Sequence, residues 1–372
     1  MESCTVITME QDTFKPEGEL RNGWTTGACA TAAAKACVLA LINGKFEKSV
    51  TIQLPRGETP TFFLSRQALE GNEACAGIIK DAGDDPDVTH GAEIVVTVRS
   101  GPAGDGVTFQ AGDGVGTVTL PGLPTPVGEP AINPAPRKMI CEAIQAVVGT
   151  QGQAADFEVT ISIPGGKILA ESTMNGRLGV VGGLSVLGTT GIVRPYSCSA
   201  WIHSIHRGID VARATGLTHV AAATGKTSET AIQELYQLDP TALIDMGDFA
   251  GGVLKYLRHH PLKKLTLAGG FGKLTKLAQG HMDLHSARSR LDFNKLASCL
   301  DELGARTETQ QLAKDANTAM EVLDLARTEN LELANLIAEQ AQKKALEALN
   351  GEVAVEICIF DRGGQLVGRA ND

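Results

Sequence analysis

Four sets of residues in this 372-residue chain have types and spacing suited to chemistry. The first is the stretch 175–197, NGRLGVVGGLSVLGTTGIVRPYS, in which six glycines are interleaved with Leu, Val and Ile. The aliphatics mark it as buried, and the glycines let a second backbone or a ligand come close. Within it, Gly188-Thr189-Thr190-Gly191 can offer backbone N–H groups and two hydroxyls as a polar nest. A tightly packed crossover with no ligand fits the same spacing. The second set is the loop 80–91, KDAGDDPDVTHG, with aspartates at 81, 84, 85 and 87 followed by His90. Aspartates this close repel one another unless a cation or several N–H donors hold them. The spacing is not that of an EF-hand. It suits Asx-turns and caps, or the polar rim of a site with His90 as its proton carrier. The third set is Thr25-Thr26-Gly27, ahead of an alanine-rich run, where the N–H groups of a helix start can receive an anion. The fourth is a pair of glycine turns, Ala223-Thr224-Gly225-Lys226-Thr227 and Ala268-Gly269-Gly270-Phe271-Gly272-Lys273. Each places N–H groups at a helix start, where a carboxylate or a ribose fits better than a triphosphate.

Other patterns fail. Gly225-Lys226-Thr227 looks like the end of a Walker A loop, but the glycine required five residues earlier is Val220. Gly112-Asp113-Gly114-Val115-Gly116 has the wrong glycine spacing for a dinucleotide fingerprint, and Pro121 and Pro124 follow it instead of a helix. His203 with His206, or His281 with His285, has ligand spacing on a helix, but no third ligand follows. No protein-bound metal is expected. The eight cysteines form no C-x-x-C pair and read as reduced, packed thiols.

These residues need elements to hold them. Residues 1–20 are polar and read as loosely ordered. A helix is expected over 28–42, with Thr25 or Thr26 as N-cap and Asn43-Gly44 as its stop. Short β-branched runs predict strands at 50–54, 61–64, 76–80 and 93–99. The proline-rich 128–137 leads rigidly into a helix over 137–148, and 157–163 is a further strand. Arg137 and Lys138 fall in that helix's first turn, where the helix dipole disfavours cations, which hints at an anionic partner. Past residue 197 the texture changes. Strands at 219–223, 242–246 and 264–268 alternate with helices at 228–238, 249–258 and 273–279. That alternation predicts a parallel sheet with its ligand crevice at the strand C-termini. Helices over 292–303, 307–327 and 331–349 follow, then a strand over 352–360 at a sheet edge. The expected fold is therefore α+β and α/β in two domains. An N-terminal α+β layer spans 1–190, and a doubly wound, Rossmann-like α/β domain spans 191–372.

A formal charge of −10 with 4% aromatics argues against a nucleic-acid partner. No run of 18 apolar residues and no basic-then-apolar leader appears, so neither a membrane span nor a secretory signal is expected, and the protein reads as cytoplasmic. A homo-oligomer is neither required nor excluded.

The blocks that hold these residues also resemble a known family. LRNGWTTGACATAAAKA (20–36), KDAGDDPDVTHGAEI (80–94), GLPTPVGEPAINPAPRKMI (122–140), NGRLGVVGGLSVLGTTGIVRP (175–195) and GGFGKLTKLAQGHMDLHS (269–286) are similar, in the same order, to the signature blocks of the CbiD family. The resemblance covers residues 20–290 and stops short of the C-terminal helices. Where the family usually has Thr-His-Ser, this chain has Leu284-His285-Ser286. The resemblance implies methyl transfer from S-adenosylmethionine, as co-substrate, to C1 of cobalt-precorrin-5B, giving cobalt-precorrin-6A in anaerobic cobalamin biosynthesis. It implies no defined catalytic residue. An electron-rich ring carbon attacks a sulfonium methyl in line, so orientation and a dry pocket carry the catalysis. A cobalt-bearing ring hung with acetate and propionate groups needs cationic side chains at one face of this acidic protein. Arg137, Lys138, Arg177 and Arg194 lie in signature blocks and are the candidates, joined by Thr25 and Thr26. His90, Thr189 and Thr190 are the catalytic candidates. Gly225, Gly269, Gly270 and Gly272 are the donor-binding ones. A non-catalytic tetrapyrrole carrier and a P-loop-like phosphotransferase are the rival readings, told apart by donor affinity and by ATP turnover.

Overall fold

The structure, a computed structural model, describes residues 18–149 and 155–371. Most of the N-terminal stretch expected to be loosely ordered lies outside the described residues. The chain is mixed α/β and divides into two compact units. Unit 1 runs to Thr119 and takes in Pro124–Gly176 and Val180–Ser197, and unit 2 holds Leu120–Leu123, Arg177–Gly179 and Cys198–Asp372. The chain passes from unit 1 to unit 2 at 197/198, and two short pieces of the first half cluster with unit 2.

In unit 1 the chain runs through β1 (Gly23–Trp24), α1 (Thr26–Asn43), β2 (Ser49–Thr51), β3 (Thr61–Phe63), β4 (Arg66–Glu70), β5 (Glu73–Ile79) and β6 (Glu93–Ser100). Then come β7 (Val107–Ala111), β8 (Thr117–Val118), α2 (Pro134–Val148), β9 (Phe157–Ser162), α3 (Gly166–Ala170), β10 (Val180–Val181) and β11 (Ile192–Val193). Its main sheet has the order β4-β5-β6-β9-β7, antiparallel except where β7 runs parallel to β9. The two strands missed from sequence, β4 and β7, are its edges. Edge strands face water along much of their length, so Arg66, Gln67 and Gln110 broke the apolar alternation. α1 is long and apolar enough to cross a membrane, but 72% of it is buried inside unit 1. Its alanines keep it thin, and it packs against both α2 and the strands β5 and β6. A helix that is apolar all round must be buried, and this one is buried by its neighbours in unit 1.

In unit 2 the elements are α4 (Cys198–Ala214), β12 (His219–Ala223), α5 (Lys226–Tyr236), β13 (Leu243–Asp245), α6 (Ala250–Leu257), β14 (Lys264–Gly270) and α7 (Phe271–Ala278). They are followed by α8 (Phe293–Glu302), α9 (Thr307–Lys314), α10 (Ala319–Thr328), α11 (Leu333–Leu349), β15 (Ala354–Phe360) and β16 (Leu366–Ala370). One sheet, ordered β13-β12-β14-β15-β16, is parallel through its first four strands and antiparallel at β16. Val220 and Ala222 face the large core built with α4, α6, α7 and α11, whereas Ala221 and Ala223 face a smaller one under α5. The crossover after β12 thus covers one face and the crossover after β13 the other.

Two readings need correction here, and one helix was not anticipated. The strand read at a sheet edge, β15, lies between β14 and β16, and its side chains are buried on both faces. Its apparent alternation came from Glu356, which is buried in a polar cluster. The helix expected over 307–327 is two helices, because Thr318 and Glu321 form a capping box that starts α10. α4 was not anticipated, although Ile205, Gly208, Ile209 and Ala212 already show its buried stripe.

Candidate functional site

Three of the sequence blocks meet in unit 1. Thr25 caps α1 by accepting from Ala28 N–H at 3.1 Å, and both Thr25 and Thr26 are buried. Thr26 Oγ1 donates to Leu187 O and accepts from Leu187 N–H, at 3.2 and 2.9 Å. Gly27 N–H donates to Leu187 O, and Thr25 N–H to Gly191 O. The helix start proposed as an anion site is therefore occupied by the chain's own backbone. The segment carrying Thr189 and Thr190 provides the cover. A Cβ at Gly188, whose φ is +126°, would sit 2.3 Å from Thr25 Oγ1, so this close approach needs glycine. Thr189 is exposed, and Thr190 Oγ1 accepts from Ile192 N–H at 3.3 Å, closing a local turn.

The acidic loop joins the same constellation, and every aspartate in it has a donor. Arg21 pairs with Asp81 through both terminal nitrogens, and its N–H donates to Asp84. Asp85 accepts from Tyr196 N–H at 2.9 Å. Asp87 accepts from Thr89 N–H and Oγ1 and pairs at 2.7 Å with Lys80, whose side chain is 1% exposed. The Arg21 hydrogen bonds hold the Asp81 carboxyl down at about 2. Asx-turns account for much of the loop, since Asp81 also accepts from Gly83 N–H. His90 is exposed, and its Nδ1 accepts from Ala82 N–H at 3.1 Å. A ring nitrogen that accepts carries no hydrogen, so in the neutral ring Nε2 bears it and can donate but not accept.

The four cations separate. Arg137 turns back onto its own entry loop, donating to Ile132 O, Pro130 O and Glu129 at 2.9–3.2 Å. That resolves its place in the first turn of α2: the guanidinium answers loop carbonyls rather than a ligand. Lys138 is exposed and lies 3.8 Å from Glu142. Arg177, in unit 2, makes a two-pronged pair with buried Glu229 at 2.6 and 2.7 Å. Burial pushes the Glu229 carboxyl up, but Arg177 and then Lys226 bring it below its ordinary value. Arg194 is exposed and has no ion-pair partner among the described residues.

The glycine turns close the C-terminal ends of neighbouring parallel strands. Thr224 N–H donates to Ala268 O, so the two turns lie side by side. Gly269 is required by packing, since a Cβ there would meet Thr224 at 2.8 Å. At Gly225 and Gly270 a Cβ would meet nothing within 4 Å, and neither has positive φ in the left-handed region. The fold does not demand glycine at those two positions. Gly272 is similarly loose, with Ala319 at 3.7 Å. Around this crevice stand Glu229, Asp245, Asp248 and Lys273. Lys273 donates to Thr224 O at 3.0 Å and sits 3.1 Å from Asp248 Oδ1, a solvent-shielded oxygen with no aligned hydrogen bond. Burial, and then the charge of Glu229, push the Asp245 carboxyl up. A cavity of about 630 Å³ lies at the other end of the sheet, lined by Arg213, Arg258 and Lys263. Arg213 lies in the last turn of α4 and donates to Pro261 O at 3.3 Å, and Arg258 follows the last turn of α6, where cations favour the helix dipole. Among the described residues no group of three or more His, Cys, Asp or Glu side chains is arranged to hold a metal ion.

Sequence comparison settles the family. The CbiD model matches residues 13–195, and the model of the CbiD C-terminal domain matches residues 283–371. A curated relative from Brucella anthropi is 58% identical over 95% of this chain and 96% of its own length, and carries the name cobalt-precorrin-5B C(1)-methyltransferase. Relatives from Brucella canis and Brucella suis, with the same name, are 56% identical over the same shares. This chain belongs to the CbiD family. A crystal structure of a CbiD cobalamin biosynthesis protein from Archaeoglobus fulgidus is 25% identical, with 69% of this chain and 79% of that one covered and a TM-score of 0.38.

The CbiD match extends over the C-terminal helices and final strands, beyond the reach of the motif blocks. Asp245, Glu229 and Lys273 were missed from sequence. A signal for one of them exists, since Asp245 stands 20 residues after Gly225 at the end of the next strand, where an α/β nucleotide site places an acid.

Proposed function

We propose that this protein is a cobalt-precorrin-5B C(1)-methyltransferase that uses S-adenosylmethionine as donor. The observation that carries the reading is near-full-length identity of 56–58% to relatives bearing that name. Unit 2 is read as a doubly wound, Rossmann-like domain, and its open glycine turns as the donor site. The order β13-β12-β14-β15 supports this, because the chain changes direction between β12 and β14 and both turns fall at that switch point. Bound there, the donor supplies a sulfonium methyl, which passes to ring carbon C1 while S-adenosylhomocysteine leaves. Gly225 and Gly270 leave room for it, and Lys273 fixes the floor of the crevice through Thr224 and Asp248.

The ring brings its own cobalt and its own carboxylates. Arg194, exposed and unpaired among the described residues, is left free to meet one of those carboxylates; Arg137 and Arg177 are held by the protein itself. His90 presents its Nε2–H as a donor, and Thr189 presents an exposed hydroxyl. Mass spectrometry after incubation with donor and cobalt-precorrin-5B tests the proposal. A singly methylated ring with equimolar S-adenosylhomocysteine is expected. Unchanged ring, tightly bound, would make the protein a carrier instead.

A further inference from the structure

Trp201 lies in the first turn of α4, in line with the buried Ile205, Ile209 and Ala212. Its spacing from them continues the core stripe toward the start of the helix. The ring is nevertheless 45% exposed, because the sheet beneath it has ended. Its indole N–H donates to the carbonyl of Asp245, the last residue of β13, at 3.1 Å. A Cβ on Gly247 would lie 3.4 Å from the ring atoms Cε2 and Cζ2, so the ring rests against the loop that follows β13. One edge of the indole is therefore fixed, while much of its apolar surface stands in water. Indole left in water forgoes the stabilisation that burial gives an aromatic ring.

A planar cation stands beside it. Cys198, three residues before Trp201 on α4 and so its neighbour on the helix surface, accepts from Arg288 Nη2 at 3.3 Å. Arg288 Nη1 donates to Asp283 at 2.8 Å. These two contacts set the guanidinium's orientation without using up its N–H donors, and the side chain is 56% exposed. The loop that carries Asp283 and Arg288 is tied down by Leu284, whose N–H donates to Asp248 O and whose carbonyl accepts from Lys276, both at 2.8 Å. The acids here are already matched, Asp283 by Arg288 and Asp248 by Lys273. A ligand would meet a flat apolar plate next to a planar cation. The complement is a flat, conjugated face with a carboxylate at its rim. A purine has the face but no anion beside it, and a linear polycarboxylate has the charge but no face.

We propose that Trp201 stacks against the macrocycle of the methyl acceptor and that Arg288 takes one of its peripheral carboxylates, setting the ring's register on unit 2. The inference rests on the reading that the acceptor is a carboxylated cobalt ring. Strand register sets Asp245 level with Ala223, so the plate stands at the same end of the sheet as the open glycine turns. Trp201 and Arg288 are positioning residues, which orient the ring and transfer no proton.

Anaerobic calorimetry on the full-length protein, with cobalt-precorrin-5B and separately with S-adenosylhomocysteine, tests it in Trp201→Leu, Trp201→Phe and Arg288→Gln, each checked by circular dichroism. Leucine should weaken ring binding roughly tenfold, whereas phenylalanine, which keeps a flat face, should stay within about threefold of the parent. Both replacements lose the hydrogen bond to Asp245 O, so a structural anchor alone would make them equal, and equal losses overturn the inference. Arg288→Gln should lose roughly tenfold, with the gap narrowing in added salt. S-Adenosylhomocysteine affinity should stay at the parent value in all three. Lost donor affinity with full ring affinity would give the plate to adenine and sink the proposal. Folded variants that keep parental ring affinity sink it too, while leaving methyl transfer standing. A parent protein that binds no ring removes the inference and the proposed function together.

Discussion

Arg177 shows how far a single residue can be read before its partner is known. Its place in a glycine-rich block and the anionic ring implied by the family made it a substrate clamp. Glu229, its actual partner, lies 52 residues away in sequence, and no local pattern joins them. Truncating Arg177→Ala should destabilise unit 2 by about 3 kcal/mol, because a buried carboxylate loses its two-pronged partner and keeps only the exposed Lys226 at 3.5 Å. Urea unfolding measures this, and an unchanged midpoint would show that Glu229 finds another donor. Arg194 makes the opposite case, being exposed and without an ion-pair partner among the described residues. Arg194→Ala should keep the protein's stability and weaken ring binding roughly tenfold or more, less so in added salt. Equal ring affinity at every salt concentration would assign the carboxylate contact elsewhere. The glycine turns were legible because Gly-rich turns after short apolar runs carry a local conformational message. Asp245 was not singled out, because its place beside the end of β12 follows from pairing between separate segments.

At the scale of elements, local signals served wherever water and the core pull in opposite directions. The alanine-rich helix, its threonine cap and its Asn-Gly stop were all visible, since each is a short-range backbone effect. Edge strands β4 and β7 were not, and neither was the central position of β15, because sheet order is set by pairing between distant segments. The helix start at Thr25-Thr26 carries a related lesson. Its donors looked available until the 187–191 segment supplied its own acceptors. The starts of α5 and α7 have no such cover at Gly225 and Gly270. Gly270→Val should therefore leave far-UV circular dichroism and the unfolding midpoint near parent values while reducing donor affinity at least tenfold. Full donor affinity in the folded variant would move the donor away from α7.

For the whole molecule, acid stability should be governed by the Glu356 cluster in unit 2. Burial raises that carboxyl, but hydrogen bonds from Tyr236, Thr266, Arg369 and Lys264 bring it down to about 2. A carboxyl depressed in the folded state contributes stability that is complete above its unfolded value near 4.3 and is lost as pH falls toward 2. Glu356→Gln should lower stability at neutral pH and flatten its fall between those limits, as followed by urea melts at each pH. An equally steep fall in the variant would place the acid-sensitive group elsewhere. The central claim, however, is chemical. Its most direct test is incubation of the protein with [methyl-¹³C]S-adenosylmethionine and cobalt-precorrin-5B, with ¹³C NMR of the recovered ring. The account predicts one labelled methyl, on C1, and one equivalent of S-adenosylhomocysteine. Label on another ring carbon, or an unlabelled ring recovered bound to the protein, would contradict it.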